Sequence, residues 1–141
     1  MKELFISRSP EETEKIAGEI RAALPAGGVV ALYGDLGAGK TVFARGFAAA
    51  LGIAEPVSSP TYTILQEYPV PGGGIFYHLD LYRIADARAA LAFGVDEYLN
   101  EPGAWVLAEW PERIETLLPP GTIRLAIRHL SESEREIALR P

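Results

Sequence analysis

Residues 34–41 have the residue types and spacing of a phosphate-binding loop. The stretch GDLGAGKT matches the pattern G-x-x-x-x-G-K-[ST] at every fixed position. Glycines there permit positive φ, so that backbone N–H groups converge on phosphate oxygens, and a following helix adds its partial positive charge. With this composition, about 0.002 chance matches are expected along the chain. The pattern predicts a nucleoside triphosphate site formed by Asp35, Leu36, Gly37, Ala38, Gly39, Lys40 and Thr41.

Two side chains of this loop carry specific chemistry. Lys40 would reach the β- and γ-phosphates, and the Thr41 hydroxyl would ligate Mg²⁺. The guanine-reading motif Asn-Lys-x-Asp is absent, because the single asparagine, Asn100, is followed by Glu101. We therefore expect ATP rather than GTP, with Mg²⁺ as the cofactor.

Carboxylates end two of the predicted apolar strands. Residues 75–79 are followed by Asp80, and residues 105–108 by Glu109. A phosphate loop needs an acid for its metal at the end of a neighbouring strand. We predict that one carboxylate belongs to the metal site and that the other orients the attacking water. These spacings do not decide which acid does which.

A loop rich in hydroxyls, residues 58–63 (SSPTYT), lies between the helix after the phosphate loop and the next predicted strand. A threonine there, Thr61, could sense the γ-phosphate or its Mg²⁺ through its hydroxyl and backbone, as in a switch loop. A plain Ser/Pro loop is the alternative.

Histidines and tryptophans receive simpler interpretations. His78 and His129 are too far apart to form a spaced metal pair, so strand-packed or exposed histidines are expected. Trp105 and Trp110 flank the second strand end, and core packing is the expectation for both.

The surrounding pattern predicts an α/β protein. Apolar runs and alternating segments indicate about seven strands, partly parallel and partly antiparallel, flanked by helices. Ser9-Pro10 has the residue types of a helix start, and Pro25 those of a stop. The predicted strands are 2–8, 29–33, 63–68, 75–79, 105–108, 122–130 and 135–140, and the predicted helices are 9–24, 40–51, 86–93 and 112–118.

Composition narrows the function classes. A chain of 141 residues with 48% hydrophobic residues corresponds to one domain, spanning 1–141. Its net charge of −6 disfavours strong direct binding to nucleic acids and attraction to anionic membranes. No signal peptide or membrane span is apparent, and cysteine is absent, so a cytoplasmic protein is expected.

Four motifs together resemble one family. GDLGAGKTVF at 34–43, SPTYTI at 59–64, HLDLYRI at 78–84 and EWPER at 109–113 occur in the order and spacing of the bacterial TsaE family. Members of this family are the P-loop ATPases of tRNA threonylcarbamoyladenosine biosynthesis. The resemblance covers nearly the whole chain and implies a P-loop NTPase fold.

The resemblance also implies residue roles. Lys40 and Thr41 match the phosphate lysine and the Mg²⁺-ligating threonine of the family. The other matches are Glu109 for the metal-associated acid, Asp80 for an acid of hydrolysis, Thr61 for the switch-like loop, Trp110 for the EW pair, and Thr13 and Arg135 for positions near the adenine. The implied catalytic set is Lys40, Asp80, Glu109 and Thr61. Val42 stands where the family often has a second threonine.

By resemblance, the chain would not itself transfer threonylcarbamoyl. It would bind the tRNA threonylcarbamoyl transferase subunit and the paralogous dimer partner of that subunit, and its ATP hydrolysis would drive their turnover. Hydrolysis would be slow alone, since no arginine finger is obvious. A small-molecule kinase and a nucleotide-gated binding module without hydrolysis are the alternatives.

Overall fold

The computed structural model describes residues 2–58 and 64–140. Within these ranges, strands and helices alternate along most of the chain. In chain order they are β1 (Leu4–Ser7), α1 (Pro10–Ala22), β2 (Gly28–Tyr33), α2 (Lys40–Ala50), β3 (Leu65–Pro69), β4 (Ile75–Asp80), α3 (Ala87–Ala92), α4 (Val95–Leu99), β5 (Trp105–Glu109), a 3₁₀ helix (Pro111–Leu117), β6 (Ile123–His129) and β7 (Arg135–Arg140).

The strands form a seven-stranded mixed sheet in the order β1-β7-β6-β2-β5-β4-β3. The four central strands, β6, β2, β5 and β4, run parallel, and antiparallel strands flank them on both sides. Continuous apolar runs such as residues 29–33 suit strands that are covered on both faces. The predicted α/β class with a mixed seven-stranded sheet flanked by helices is confirmed.

Two apolar clusters cover the two faces of the sheet. One packs α1 and α2 against the sheet around Phe43, Phe47 and Phe76, and the other packs α3, α4 and the 3₁₀ helix around Leu79 and Leu81. Among the described residues, no helix is long and apolar enough to cross a membrane.

The predicted helix starts at Ser9 and Asp86 are confirmed, and in both a side chain caps the helix. Ser9 caps α1, since its side chain accepts from the backbone N–H of Glu12 at 3.0 Å, and Asp86 caps α3 in the same way through Ala89. The predicted helix at 112–118 is instead a 3₁₀ helix, with non-helical dihedrals at Ile114. Helix α4 was not predicted, because five residues are too few to show a helical period.

Candidate functional site

The phosphate-binding loop lies between β2 and α2, at the carboxyl edge of the parallel strands. Gly34 must be glycine, because a Cβ there would lie 2.8 Å from the carbonyl oxygen of Ile127 on β6. Gly37 and Gly39 have φ of 78° and 103°, a region that favours glycine. Gly39 is the N-cap of α2, and no side chain caps this helix. The first N–H groups of α2 are therefore not satisfied by a capping side chain, which is what an anion site requires.

Lys40, the first residue of α2, is a buried cation. Its side chain is 5% exposed, and its Nζ has no hydrogen-bond partner among the described residues. Burial lowers the pKa of Lys40, while the negative charges of Glu109 and then Asp80 oppose that shift. An unpaired buried ammonium is costly and is satisfied by an anion. The loop and Lys40 together therefore fit the phosphates of a nucleotide.

The two strand-terminal acids are neighbours. Strands β4 and β5 are parallel and adjacent, and Asp80 lies opposite Glu109 in the register. Asp80 accepts a hydrogen bond from the backbone N–H of Tyr82 at 3.0 Å, and Glu109 is 3% exposed. The structure thus brings together the two predicted carboxylates, and both are close enough to Lys40 to affect its pKa.

Sequence reasoning missed the contact that His78 makes. His78 is fully buried on β4, as the strand-packed interpretation expects, but its Nε2 lies 2.6 Å from Oε2 of Glu109. One signal could have found it. His78 is two residues before Asp80, and alternate residues of a strand share a face.

Trp110 only partly follows the expectation of core packing. Its ring packs at the edge of the second apolar cluster, but it also covers the ammonium of Lys40, 3.8 Å from the ring centroid. Its backbone φ is 58°, the one positive value at a non-glycine among the described residues. Trp105, by contrast, is buried as expected, and its Nε1 donates to the carbonyl of Leu24.

A cavity of about 100 Å³ lies beside the phosphate loop. Its lining comes from the start of α1, the start of α2 and the β6–β7 turn: Ser9, Pro10, Thr13, Gly39, Val42, Glu132, Ser133 and Arg135. Thr13 and Arg135, which the resemblance places near the adenine, thus line one cavity. The Thr13 hydroxyl lies 2.7 Å from that of Ser7.

Arg135 ties the β6–β7 turn to the phosphate loop. Its Nε donates to the carbonyl of Ala38 at 3.1 Å, and its Nη1 donates to the carbonyls of Ser131, Glu132 and Glu134. One guanidinium therefore fixes the loop backbone relative to the cavity wall.

The remaining predicted residues differ in what the structure says of them. Thr41 lies in the first turn of α2 and is partly exposed, and Leu36 is 69% exposed in the loop. Thr61 and its predicted switch loop lie outside the described residues. In the described part of the chain, no three His, Cys, Asp or Glu side chains gather as a metal site. Mg²⁺ at a phosphate loop keeps most of its ligands from water and phosphate, so Thr41 with one carboxylate remains a sufficient protein contribution.

Comparisons with known proteins agree on one family. A family model described as "Threonylcarbamoyl adenosine biosynthesis protein TsaE" matches residues 7–137. A tRNA threonylcarbamoyladenosine biosynthesis protein TsaE from Bacillus subtilis is 44% identical over 92% of this chain and 79% of that protein. The protein of the same name from Treponema pallidum is 38% identical, over 95% of this chain and 97% of that one. The crystal structure of YdiB from Bacillus subtilis superposes with a TM-score of 0.78 at 39% identity, covering 96% of this chain and 82% of that one.

Proposed function

Since this chain belongs to the TsaE family of nucleotide-binding P-loop proteins, we propose that it is a Mg²⁺-dependent ATPase of tRNA threonylcarbamoyladenosine biosynthesis. Residues 1–141 would act as one ATPase domain. The observation that carries the proposal is the buried Lys40 ammonium, which has no hydrogen-bond partner among the described residues and lies at a helix start without a side-chain cap, beside two carboxylates.

Lys40 and the backbone N–H groups of the loop bind the phosphates and stabilise the charge that develops on them. Thr41 and Glu109 hold Mg²⁺, which when bound neutralises phosphate charge. Asp80 would hold and orient the attacking water, and Thr61, which lies outside the described residues, would sense the γ-phosphate or its Mg²⁺. Thus Lys40, Asp80, Glu109 and Thr61 form the proposed catalytic set.

We assign the nucleoside to the cavity beside the loop. Thr13 and Arg135 line that cavity together with Gly39, the N-cap of α2, where the phosphates would begin. The Trp110 ring covers the ammonium of Lys40 at 3.8 Å from the ring centroid, so the ring lies beside the position that we assign to the phosphates.

The proposed partners are the tRNA threonylcarbamoyl transferase subunit and its paralogous dimer partner, in the cytoplasm. With a net charge of −6, this chain would reach tRNA chemistry through those proteins and not by strong direct binding of tRNA. Because the sequence shows no obvious arginine finger, hydrolysis would be slow until the partners bind and supply a group in trans.

The deciding experiment measures release of inorganic phosphate from γ-labelled ATP with Mg²⁺, with and without the transferase pair. We expect little turnover alone and about 10³-fold or more with the pair, since a group supplied in trans is worth that much in such chemistry. Lys40→Ala should abolish turnover, while Lys15→Ala, which removes an exposed lysine of α1, should not change it.

Three results would contradict the proposal. Fast hydrolysis that ignores the pair would remove the partner dependence. Label that appears on a small metabolite would favour the kinase alternative. ATP-dependent binding to the pair without any phosphate release would favour the nucleotide-gated binding module.

A further inference from the structure

We propose that His78 is a positioning residue that orients the Glu109 carboxylate for Mg²⁺ by donating a hydrogen bond from its imidazole Nε2. This inference rests on the proposed function, because it gives Glu109 the metal-holding part. It adds a residue that contacts neither nucleotide nor metal.

The His78–Glu109 contact is short and buried from solvent. Nε2 of His78 lies 2.6 Å from Oε2 of Glu109, and the two side chains are 0% and 4% exposed. An ionised carboxylate only accepts hydrogen bonds, so Nε2 must be the protonated nitrogen. Nδ1 is buried and has no partner among the described residues. The contact with Glu109 therefore uses the Nε2–H of His78 as its donor.

The core fixes the plane of the imidazole. His78 stacks on Phe76 with ring centroids 6.3 Å apart and an interplanar angle of 9°. Phe76 in turn packs against Phe47 of α2 and Tyr68 of β3. The donor direction of Nε2 is therefore set by the packed face that lies under α2, before any ligand is present.

Lys40, the neighbouring cation, does not orient the Glu109 carboxylate. Lys40 is near enough for the charge of Glu109 to act on it, but its Nζ donates no hydrogen bond within the described chain. His78 thus orients Glu109, and the Lys40 ammonium remains available to bind phosphate. A carboxylate has about four acceptor positions, so a bond at Oε2 still allows Glu109 to hold a cation.

The first test separates metal affinity from nucleotide affinity. His78→Leu removes the donor, and His78→Gln replaces it with an amide N–H. Tyr77→Phe is a control on the same strand, because it removes the partly buried hydrogen bond from Tyr77 to Glu101. Binding of a non-hydrolysable ATP analogue is titrated with Mg²⁺, and with Mn²⁺ by electron paramagnetic resonance. In His78→Leu we expect the half-saturating Mg²⁺ concentration to rise about 10- to 100-fold. Affinity for the analogue in EDTA should stay within about twofold of wild type.

Rescue by the conservative variant distinguishes positioning from packing. In His78→Gln the half-saturating Mg²⁺ concentration should return close to the wild-type value. Tyr77→Phe should lower the free energy of unfolding but leave the half-saturating Mg²⁺ concentration unchanged. Wild-type Mg²⁺ dependence in a folded His78→Leu protein would overturn the inference. So would an equal change in Tyr77→Phe, which would mean that the effect is general destabilisation.

The second test needs no nucleotide. ¹⁵N NMR of the histidine rings should show a proton on Nε2 of His78, with slow exchange of that proton. Glu109→Gln should shift the Nε2–H signal, and an Nε2 that carries no proton would overturn the inference. If wild-type protein bound no nucleotide, the proposed function would fail while this measurement still reported on the hydrogen bond.

Discussion

Substitution of Gly46 by alanine tests the packing that joins the two helices at the site. Helices α1 and α2 cross at Gly46, and a Cβ there would lie 2.4 Å from Cα of Glu14 and 2.5 Å from its carbonyl oxygen. These are backbone atoms, so no side chain can rotate away. Helix α1 carries Thr13 and helix α2 carries Lys40, so the crossing also sets the distance between the cavity and the phosphate loop.

The size of the effect follows from that overlap. The clash is about 1 Å short of ordinary contact, and overpacking of a core costs about 1–3 kcal/mol. Alanine regains about 0.5–1 kcal/mol over glycine inside a helix. We therefore expect Gly46→Ala to lower the free energy of unfolding by about 1–2 kcal/mol. For a chain of this size, that corresponds to a Tm lower by roughly 2–8 °C.

Gly18, on α1, provides the matched control. A Cβ there would lie 3.7 Å from Cβ of Ala50, an ordinary van der Waals contact. Gly18→Ala should therefore raise the free energy of unfolding by about 0.5–1 kcal/mol, because only the helix propensity changes. Urea denaturation followed by circular dichroism measures both variants, and a fluorescent ATP analogue measures their nucleotide affinity.

The two glycine variants should change the free energy of unfolding in opposite directions. If Gly46→Ala were as stable as Gly18→Ala, the close approach of the two helices would be refuted. If Gly46→Ala lost stability but kept wild-type nucleotide affinity, the crossing would be irrelevant to the site.

Three further predictions concern charged and titrating groups. Phosphate binding favours the ammonium form of Lys40, whose pKa burial lowers from 10.5, so nucleotide affinity should fall as pH rises through that lowered pKa. An affinity that does not change as pH rises to 10.5, the ordinary pKa of lysine, would contradict this. Arg135→Met should weaken nucleotide binding about tenfold, since one charge-assisted bond to Ala38 is worth about 1.5 kcal/mol. Unchanged affinity in that variant would show that the loop holds its shape without the guanidinium. Burial and the bond to Glu115 raise the pKa of Tyr33 from 10.0 to about 12, so this bond stabilises the fold fully below pH 10 and loses its effect as pH rises through 12. Ultraviolet titration of wild type against Tyr33→Phe measures that pKa, and Glu115→Gln should lower it.

Local features of this molecule were predictable from the sequence because local residues cause them. The phosphate loop, its glycines and the helix after it form one continuous segment, and the residues that define it are contiguous. The cap at Ser9 and the β3–β4 and β6–β7 hairpins likewise depend on neighbours within a few positions. Helix α4 was not predicted, because its two buried residues, Val95 and Leu99, are too few to show a helical periodicity.

Contacts between distant segments required the tertiary structure. The sequence placed Asp80 and Glu109 at strand ends, but only the strand order makes β4 and β5 neighbours and sets the two acids opposite each other. The His78–Glu109 bond joins residues 31 positions apart, and the Arg135–Ala38 bond joins residues 97 positions apart.

What the sequence by itself determined is therefore which chemical groups this protein has and the local shapes that present them. Backbone conformation within a loop or a helix turn is governed by nearby residues, and these are visible in the chain. The packing of the sheet and helices decided two further features. It placed a buried histidine beside one carboxylate, and it left one buried lysine without a hydrogen bond. Packing depends on the summed burial of the whole chain, and no single segment encodes it.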